Sequence, residues 1–359
     1  MNFKIYLCVF LFVLFSSARL QTTIEKKITK ITFLPILFYT PETRLAGGAL
    51  VNFNFYQPED TSFAFPSTIL PDIIYTANKQ LISEFYTDWY FQNNRYHFTG
   101  GISYIDFPDL FYGVGSASPS SDEEKFTQRA FILQSMLQEK FFNFLEFGIK
   151  YTLIYHDIYK FETNKQISQN HITGSTRGYV SGFGAVITLD SRDNKFFPGA
   201  GRYLDISYIH AGHELGSDYT FNQITLNWRR YFTPVLNHVF ALQFIGDFES
   251  GDPPFQLMTK LGGSNILRGY YDGRYRDRNM MALQAEYRAM IFSRVGFALF
   301  TGIGDVRDGL SKFNLSGTKS SYGLGIRFKL SKNEKINLRA DYGLAGKDSG
   351  FYLTMKEAF

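Results

Sequence analysis

Apolar and polar residues alternate with a period of two along most of the chain, as in β-strands whose two faces meet different surroundings. After Lys319 one face carries Tyr322, Leu324, Ile326, Phe328 and Leu330, and the other Ser321, Gly323, Gly325, Arg327 and Lys329. The next stretch sets Ile336, Leu338, Ala340 and Tyr342 against Lys335, Asn337, Arg339 and Asp341. A third sets Leu283, Ala285, Tyr287 and Ala289 against Gln284, Glu286 and Arg288. The pattern predicts sixteen strands, at 30–40, 44–56, 67–77, 79–91, 94–106, 125–138, 141–156, 178–190, 199–211, 217–231, 234–246, 278–290, 292–304, 319–330, 334–344 and 350–359. Each reaches the ~9–11 residues that a tilted strand needs to cross a bilayer. A soluble sandwich would alternate in the same way, so the pattern leaves the choice between sandwich and barrel open.

Connection lengths narrow that choice. The long ones, 107–124, 157–177, 247–277 and 305–318, all follow odd-numbered strands. Those after even strands are mostly tight, such as 231–233 and 331–333, with 57–66 and 191–198 somewhat longer. Long loops on one side and short turns on the other, with an even strand number, are the asymmetry of outer-membrane barrels.

The N-terminus agrees with export. Lys4 precedes an apolar run from Ile5 to Phe15 and then Ser16-Ser17-Ala18, which reads as a signal peptide over 1–18 cleaved after Ala18. The remainder, 19–359, reads as one barrel domain. Cys8, the only cysteine, falls inside the apolar run, so neither a disulfide nor a lipid anchor is expected. Elsewhere no apolar run approaches the ~20 residues of a membrane-crossing helix. The aromatic content of 18%, with 38 Phe and 24 Tyr, suits belts at two membrane interfaces. A formal charge of +4 on 359 residues argues against a dedicated nucleic-acid binder.

Within 247–277 stands Gly262-Gly263-Ser264-Asn265-Ile266-Leu267-Arg268-Gly269-Tyr270, whose glycines suggest an ordered hairpin. With this motif the chain resembles the Omp85 superfamily, the barrels of outer-membrane assembly factors also called bacterial surface antigens. Three further stretches carry the resemblance. Asp190, Arg192 and Asp193, followed by Pro198, match the family's periplasmic turn; Glu286-Tyr287-Arg288 matches the strand after the sixth loop. Phe359, with Phe351, Leu353 and Met355 on its face, matches a C-terminal insertion signal that Glu357 interrupts.

The resemblance implies an all-β, 16-stranded antiparallel transmembrane barrel whose sixth extracellular loop folds inward. Arg268, Gly269 and Tyr270 would form its tip, with the arginine locked against acids on the wall. Glu286 is one such acid. The family's second acid, in a Phe-x-Asp-x-Gly pattern, is missing, because the chain reads Phe300-Thr301-Gly302-Ile303-Gly304-Asp305. Asp305 reaches the same face only if the strand bends, so Glu286 is expected to be the main charged partner. About a dozen residues separate Ala18 from the first strand, too few for the POTRA modules that usually precede such barrels. Implied partners are the lipid bilayer, lipopolysaccharide, assembly subunits and client proteins. Implied functions are insertion or translocation of cargo, or else a passive pore or surface scaffold on the same frame.

No cofactor is expected. His210, His213 and Glu214 could meet a surface metal, but no further ligand accompanies them, and solvated loop residues are the plainer reading. Ser181 lacks a nucleophile-elbow context. An outer-membrane phospholipase would need a Ser-His pair at the rim, for which His210 and His238 are the only candidates. The chain is not expected to be an enzyme.

Overall fold

The computed structural model describes residues 29–57, 65–169, 171–329 and 337–359. The expected signal peptide, the turn at 331–333 and residues 334–336 of the fifteenth expected strand lie outside them. The chain forms β1 (Lys30–Thr40), β2 (Arg44–Phe55), β3 (Ser67–Thr76), β4 (Leu81–Phe91), β5 (Tyr96–Phe111) and β6 (Glu124–Phe142). Next come β7 (Leu145–Phe161), β8 (Gly178–Asp190), β9 (Gly201–Ala211), β10 (Phe221–Val235) and β11 (His238–Gly251). A short hairpin, β12 (Thr259–Leu261) with β13 (Tyr275–Asp277), sits in the connection before β14 (Asn279–Met290). The remaining strands are β15 (Val295–Arg307), β16 (Lys319–Lys329), β17 (Asn337–Ala345) and β18 (Asp348–Met355).

All strands except β12 and β13 close into one antiparallel barrel of sixteen, each paired with its neighbours in chain order apart from the hairpin insertion. The alternation explains the closure. On β16, Leu324 is 59% exposed while Arg327 is fully buried, so apolar side chains face out and the polar set faces in. The inner face is not uniform. Between β1 and β3 it is mainly hydrocarbon, built from Leu34, Ile36, Phe38, Leu50, Leu70 and Ile74, with Asp72 between the last two. From β14 to β17 it carries Glu286, Arg288, Arg327, Arg339 and Asp341, all buried.

Three groups of expected boundaries shift. The tight turn expected at 231–233 lies at 236–237, because Tyr231 and Phe232 still pair with Ala241 and Phe240, so β10 runs to Val235 and β11 spans His238–Gly251. β5, β6 and β7 run further than the sequence suggested, because Phe111 pairs with Glu124 and Phe126 with Phe161. Pro108 and Asp109 fall in the expected connection 107–124, but continuous pairing to β6 keeps them in the strand. At the other end, β18 stops at Met355 and not at Phe359. Lys356 takes a left-handed conformation at φ 64° and turns the chain off the wall. Phe351 therefore stays exposed outside, while Phe359 is buried against Tyr231 and Ala241. The two do not share a face as expected. Met355 is buried and Leu353 half-buried.

The closure itself is thin. β1 meets β18 at one paired position, Tyr39 with Leu353, whereas β1 and β2 pair from Lys30–Asn54 to Thr40–Arg44.

If the outward face of β16 meets hydrocarbon, Leu324→Arg should destabilise the barrel in lipid vesicles by about 2–4 kcal/mol. Urea titration in vesicles reads the effect, and unchanged stability would mean that this face does not meet the bilayer core.

Candidate functional site

The connection between β11 and β14, residues 252–278, packs against side chains from widely separated strands. Its backbone is shaped by glycine. Gly262 has φ 122° and a Cβ there would sit 2.0 Å from the Tyr271 carbonyl oxygen. Gly269 has φ 120° and a Cβ would meet that of Ala345 at 2.8 Å. Side chains at either position would push the segment off its seat.

Between these glycines Arg268 is 1% exposed. Its guanidinium bridges two carboxylates, Nη2 to Glu286 on β14 and Nη1 to Asp341 on β17. The ring of Phe300 from β15 lies 3.5 Å from its Cζ. Arg327 of β16 joins the same acids, at 2.5 Å to Asp341 and 3.1 Å to Glu286. Arg288 lies 2.7 Å from Glu286, and Arg339 3.3 Å from Asp341. The turned tail enters the network too: Glu357 lies 2.8 Å from Arg327, and Arg288 donates to the Phe359 carbonyl at 2.9 Å.

The sequence reading named Glu286 as the main partner and Asp305 as the alternative second acid. Asp305 lies elsewhere, accepting from Ser116 Oγ at 2.6 Å and pairing with Arg307 at 2.6 Å. The second acid on Arg268 is Asp341. Glycine stands at 302 because Leu267 fills that space, within 2.7 Å of where a Cβ would be. Asp341 could have been suspected from its place on the polar face of the 335–342 alternation, but not that it comes within reach of Arg268.

Further hydrogen bonds extend the seat. Leu267 N donates to Gln284 Oε1 at 2.9 Å, and Arg339 donates to the Ser264 carbonyl at 3.0 Å. Tyr352 of β18 accepts from Gly269 N at 2.9 Å and donates to the Tyr270 carbonyl at 3.3 Å. Gly263 N donates to that carbonyl at 2.9 Å. Further along, Asp272 N donates to Glu42 Oε1 at 2.7 Å, tying the segment to the β1–β2 turn.

The other motif residues form a separate local structure. Arg192 meets Asp190 with two contacts, at 2.9 and 2.7 Å, and Asp193 accepts from Gly199 N and Ala200 N beside the buried Pro198. Together they brace the β8–β9 connection. His210 meets Glu214 at 2.5 Å and Asn222 at 2.9 Å, while His213 meets the Ser217 carbonyl at 2.8 Å. His238 meets the Tyr287 hydroxyl. Among the described residues no group of three or more His, Cys, Asp or Glu has metal-binding geometry.

Two predictions test this seat. Arg268→Ala leaves an acid pair facing the vacated space and should cost about 3 kcal/mol or more. Arg268→Lys keeps the charge but cannot fork to both acids, so it should restore only part of the loss. Urea titration in detergent measures both, and a lysine variant as stable as wild type would show that the fork is unimportant. The second concerns pH. Burial, with the Asp272 carboxylate nearby, pushes the Glu42 carboxyl in the β1–β2 turn up to about 7. The folded protein therefore holds this proton more tightly than the unfolded chain. That stabilisation is whole below about 4.5 and is lost as pH rises through about 7. It amounts to roughly 3 kcal/mol at most. Hydrogen exchange at Asp272 should quicken across that window beyond the intrinsic rate, and Glu42→Gln should flatten the change; equal profiles would refute the assignment.

With this geometry in place, known proteins can be compared. No curated protein sequence matches the chain. Among solved structures, BamA from Haemophilus ducreyi lacking POTRA domains 1-3 superposes with a TM-score of 0.64 at 13% identity, over 92% of this chain and 71% of that one. CdiB from Acinetobacter baumannii gives 0.59 at 13% identity, over 91% and 60%. CdiB from Escherichia coli gives 0.58 at 8% identity, over 93% and 68%. This chain thus spans less than two thirds of the Acinetobacter protein. At these identities the superpositions establish a shared barrel fold. The model of the Omp85 superfamily domain matches residues 72–359, and the chain belongs to the Omp85 superfamily.

Proposed function

We propose that this outer-membrane barrel inserts or translocates other proteins, acting alone or as a subunit of an assembly machine, and that it is not an enzyme. In this reading 1–18 is a cleaved signal peptide, and 252–278 is the sixth extracellular loop folded into the lumen. Arg268, Gly269, Tyr270 and Glu286 act as its lock, with Asp341 as the second acid. The turn at Asp190, Arg192, Asp193 and Pro198 is periplasmic. Lipid, lipopolysaccharide and unfolded clients are the partners.

The single observation behind the reading is the closure between β1 and β18. One paired position holds it, against eight between β17 and β18. At about 0.5–1.5 kcal/mol net per hydrogen bond, parting this seam gives up far less than parting any neighbouring pair. An edge strand so exposed is a template for another strand, which is what a client barrel offers. Pro35 in β1 removes one backbone donor from that strand. A passive pore is the alternative, and the packing of 252–278 against β5, β14, β17 and β18 counts against an open channel.

Tyr39→Cys with Leu353→Cys places a thiol on each side of the closure. In vesicles containing the wild-type barrel, an unfolded second outer-membrane barrel should fold several-fold faster than in vesicles without it. The oxidised double variant should lose that acceleration and regain it on reduction. Unchanged acceleration when cross-linked would overturn the proposal, and ion conductance without acceleration would favour the pore.

A further inference from the structure

We propose that Arg202 of β9 and Arg230 of β10 form a site on the outer wall for the phosphate of an anionic phospholipid. The two arginines pair directly across the β9–β10 ladder. Both belong to the outward set of their strands. Ile206 and Tyr208 share the face of Arg202, Ile224 and Phe232 share that of Arg230, and all four are exposed. Arg202 itself is exposed and Arg230 half-buried. Side chains opposed in this way have Cβ atoms ~4.5–5.5 Å apart, and like charges so placed repel each other.

Among the described residues nothing relieves that repulsion. Neither guanidinium makes a hydrogen bond or an ion pair. The outward positions of β8, β9, β10 and β11 carry no Asp or Glu. Asp190 and Asp193, in and beside the β8–β9 turn, are engaged by Arg192 and by the amides of Gly199 and Ala200. Asp205, the one acid of β9, faces inward and accepts from Thr188. Arg229, beside Arg230 in the chain, also faces inward, where it donates to Asn227. The outward pair is therefore a double positive charge that no side chain of the wall neutralises.

Its height along the wall suits a headgroup. One row nearer the turns, Phe232, Phe240, Tyr287 and Phe297 form a band of successive ring contacts at 5.5, 4.8 and 5.8 Å. Such a girdle marks a membrane interface. One row toward the other rim stand Leu204, Trp228 and Phe244, a surface for acyl chains. A phosphate between the arginines accepts paired N–H bonds from each guanidinium fork and offsets their repulsion. The ammonium of a zwitterionic headgroup would bring a third positive charge, so an anionic phospholipid fits better. A free anion would meet the charge and leave the apolar rows unused. This deepens the lipid partnership proposed above; it rests on the outer face meeting lipid and not on the seam or the loop lock.

The test uses Trp228 as the neighbouring reporter. Trp89→Phe leaves it as the single tryptophan of the full barrel. The protein is reconstituted in phosphatidylcholine vesicles in which one lipid in ten is phosphatidylglycerol. Brominated acyl chains are carried either by the phosphatidylglycerol or by an equal fraction of the phosphatidylcholine. Trp228 should be quenched several-fold more by the brominated phosphatidylglycerol. Arg202→Gln with Arg230→Gln should bring the two lipids to equality. Arg294→Gln, which removes an exposed cation from another turn at the same rim, should leave the excess intact. Heat-modifiable migration on gels confirms that each variant folds. Equal quenching in the parent barrel, an excess that survives the double variant, or one lost equally with Arg294→Gln would overturn the proposal. Loss of the excess in millimolar inorganic phosphate would overturn it in favour of a water-borne anion. No quenching by either lipid would instead remove the premise that this face meets the bilayer, and the proposal with it.

Discussion

A guanidinium withdrawn from water must be met by carboxylates, and much of this barrel's interior follows from that demand at Arg268. Desolvating one ion costs several kcal/mol even after relaxation, so the arginine is tolerable only where acids converge. The two that reach it, Glu286 and Asp341, stand on β14 and β17, with β15 and β16 between them. Those intervening strands take part as well, through the Phe300 ring beneath the guanidinium and through Arg327, which touches both acids. Four consecutive wall strands and one long connection are thereby held in one electrostatic unit. The turned tail adds Glu357 to the same unit.

The rest of the wall is built differently, and the contrast matters for function. Around β1–β3 the inner face is mainly hydrocarbon, interrupted by Asp72, and carries no comparable web of ion pairs among the described residues. β18 lies at the boundary of the two regimes. Its Tyr352 is fastened to the loop tip, while its outer edge meets β1 at one position. A wall held by ion pairs thus stands beside an apolar one that is joined to it at one paired position.

The loop glycines and the wall glycines serve one geometry from opposite sides. Gly269 lets the tip approach Ala345, and Gly302 makes way for Leu267. The absence of an acid at 302 therefore belongs to a rearranged seat, in which a leucine occupies the wall and the second carboxylate comes from two strands further on.

Period-two alternation determined the barrel strands to within a few residues at most ends, because each side chain must suit either the outside or the interior and the backbone allows only two faces. That 262–270 is a tight segment shaped by glycine was legible as well, since its glycines lie close together in the chain. Partnership across the barrel was not. Asp341 is 73 residues from Arg268 and Tyr352 is 83 from Gly269, and nothing in local pattern states which inward residues share a height once the sheet closes. The same limit hid the turn at Lys356, which carries Phe359 inside, and the confrontation of Arg202 with Arg230. Alternation specifies which face a residue takes. Register and closure decide whom it meets there, and only the folded barrel sets them.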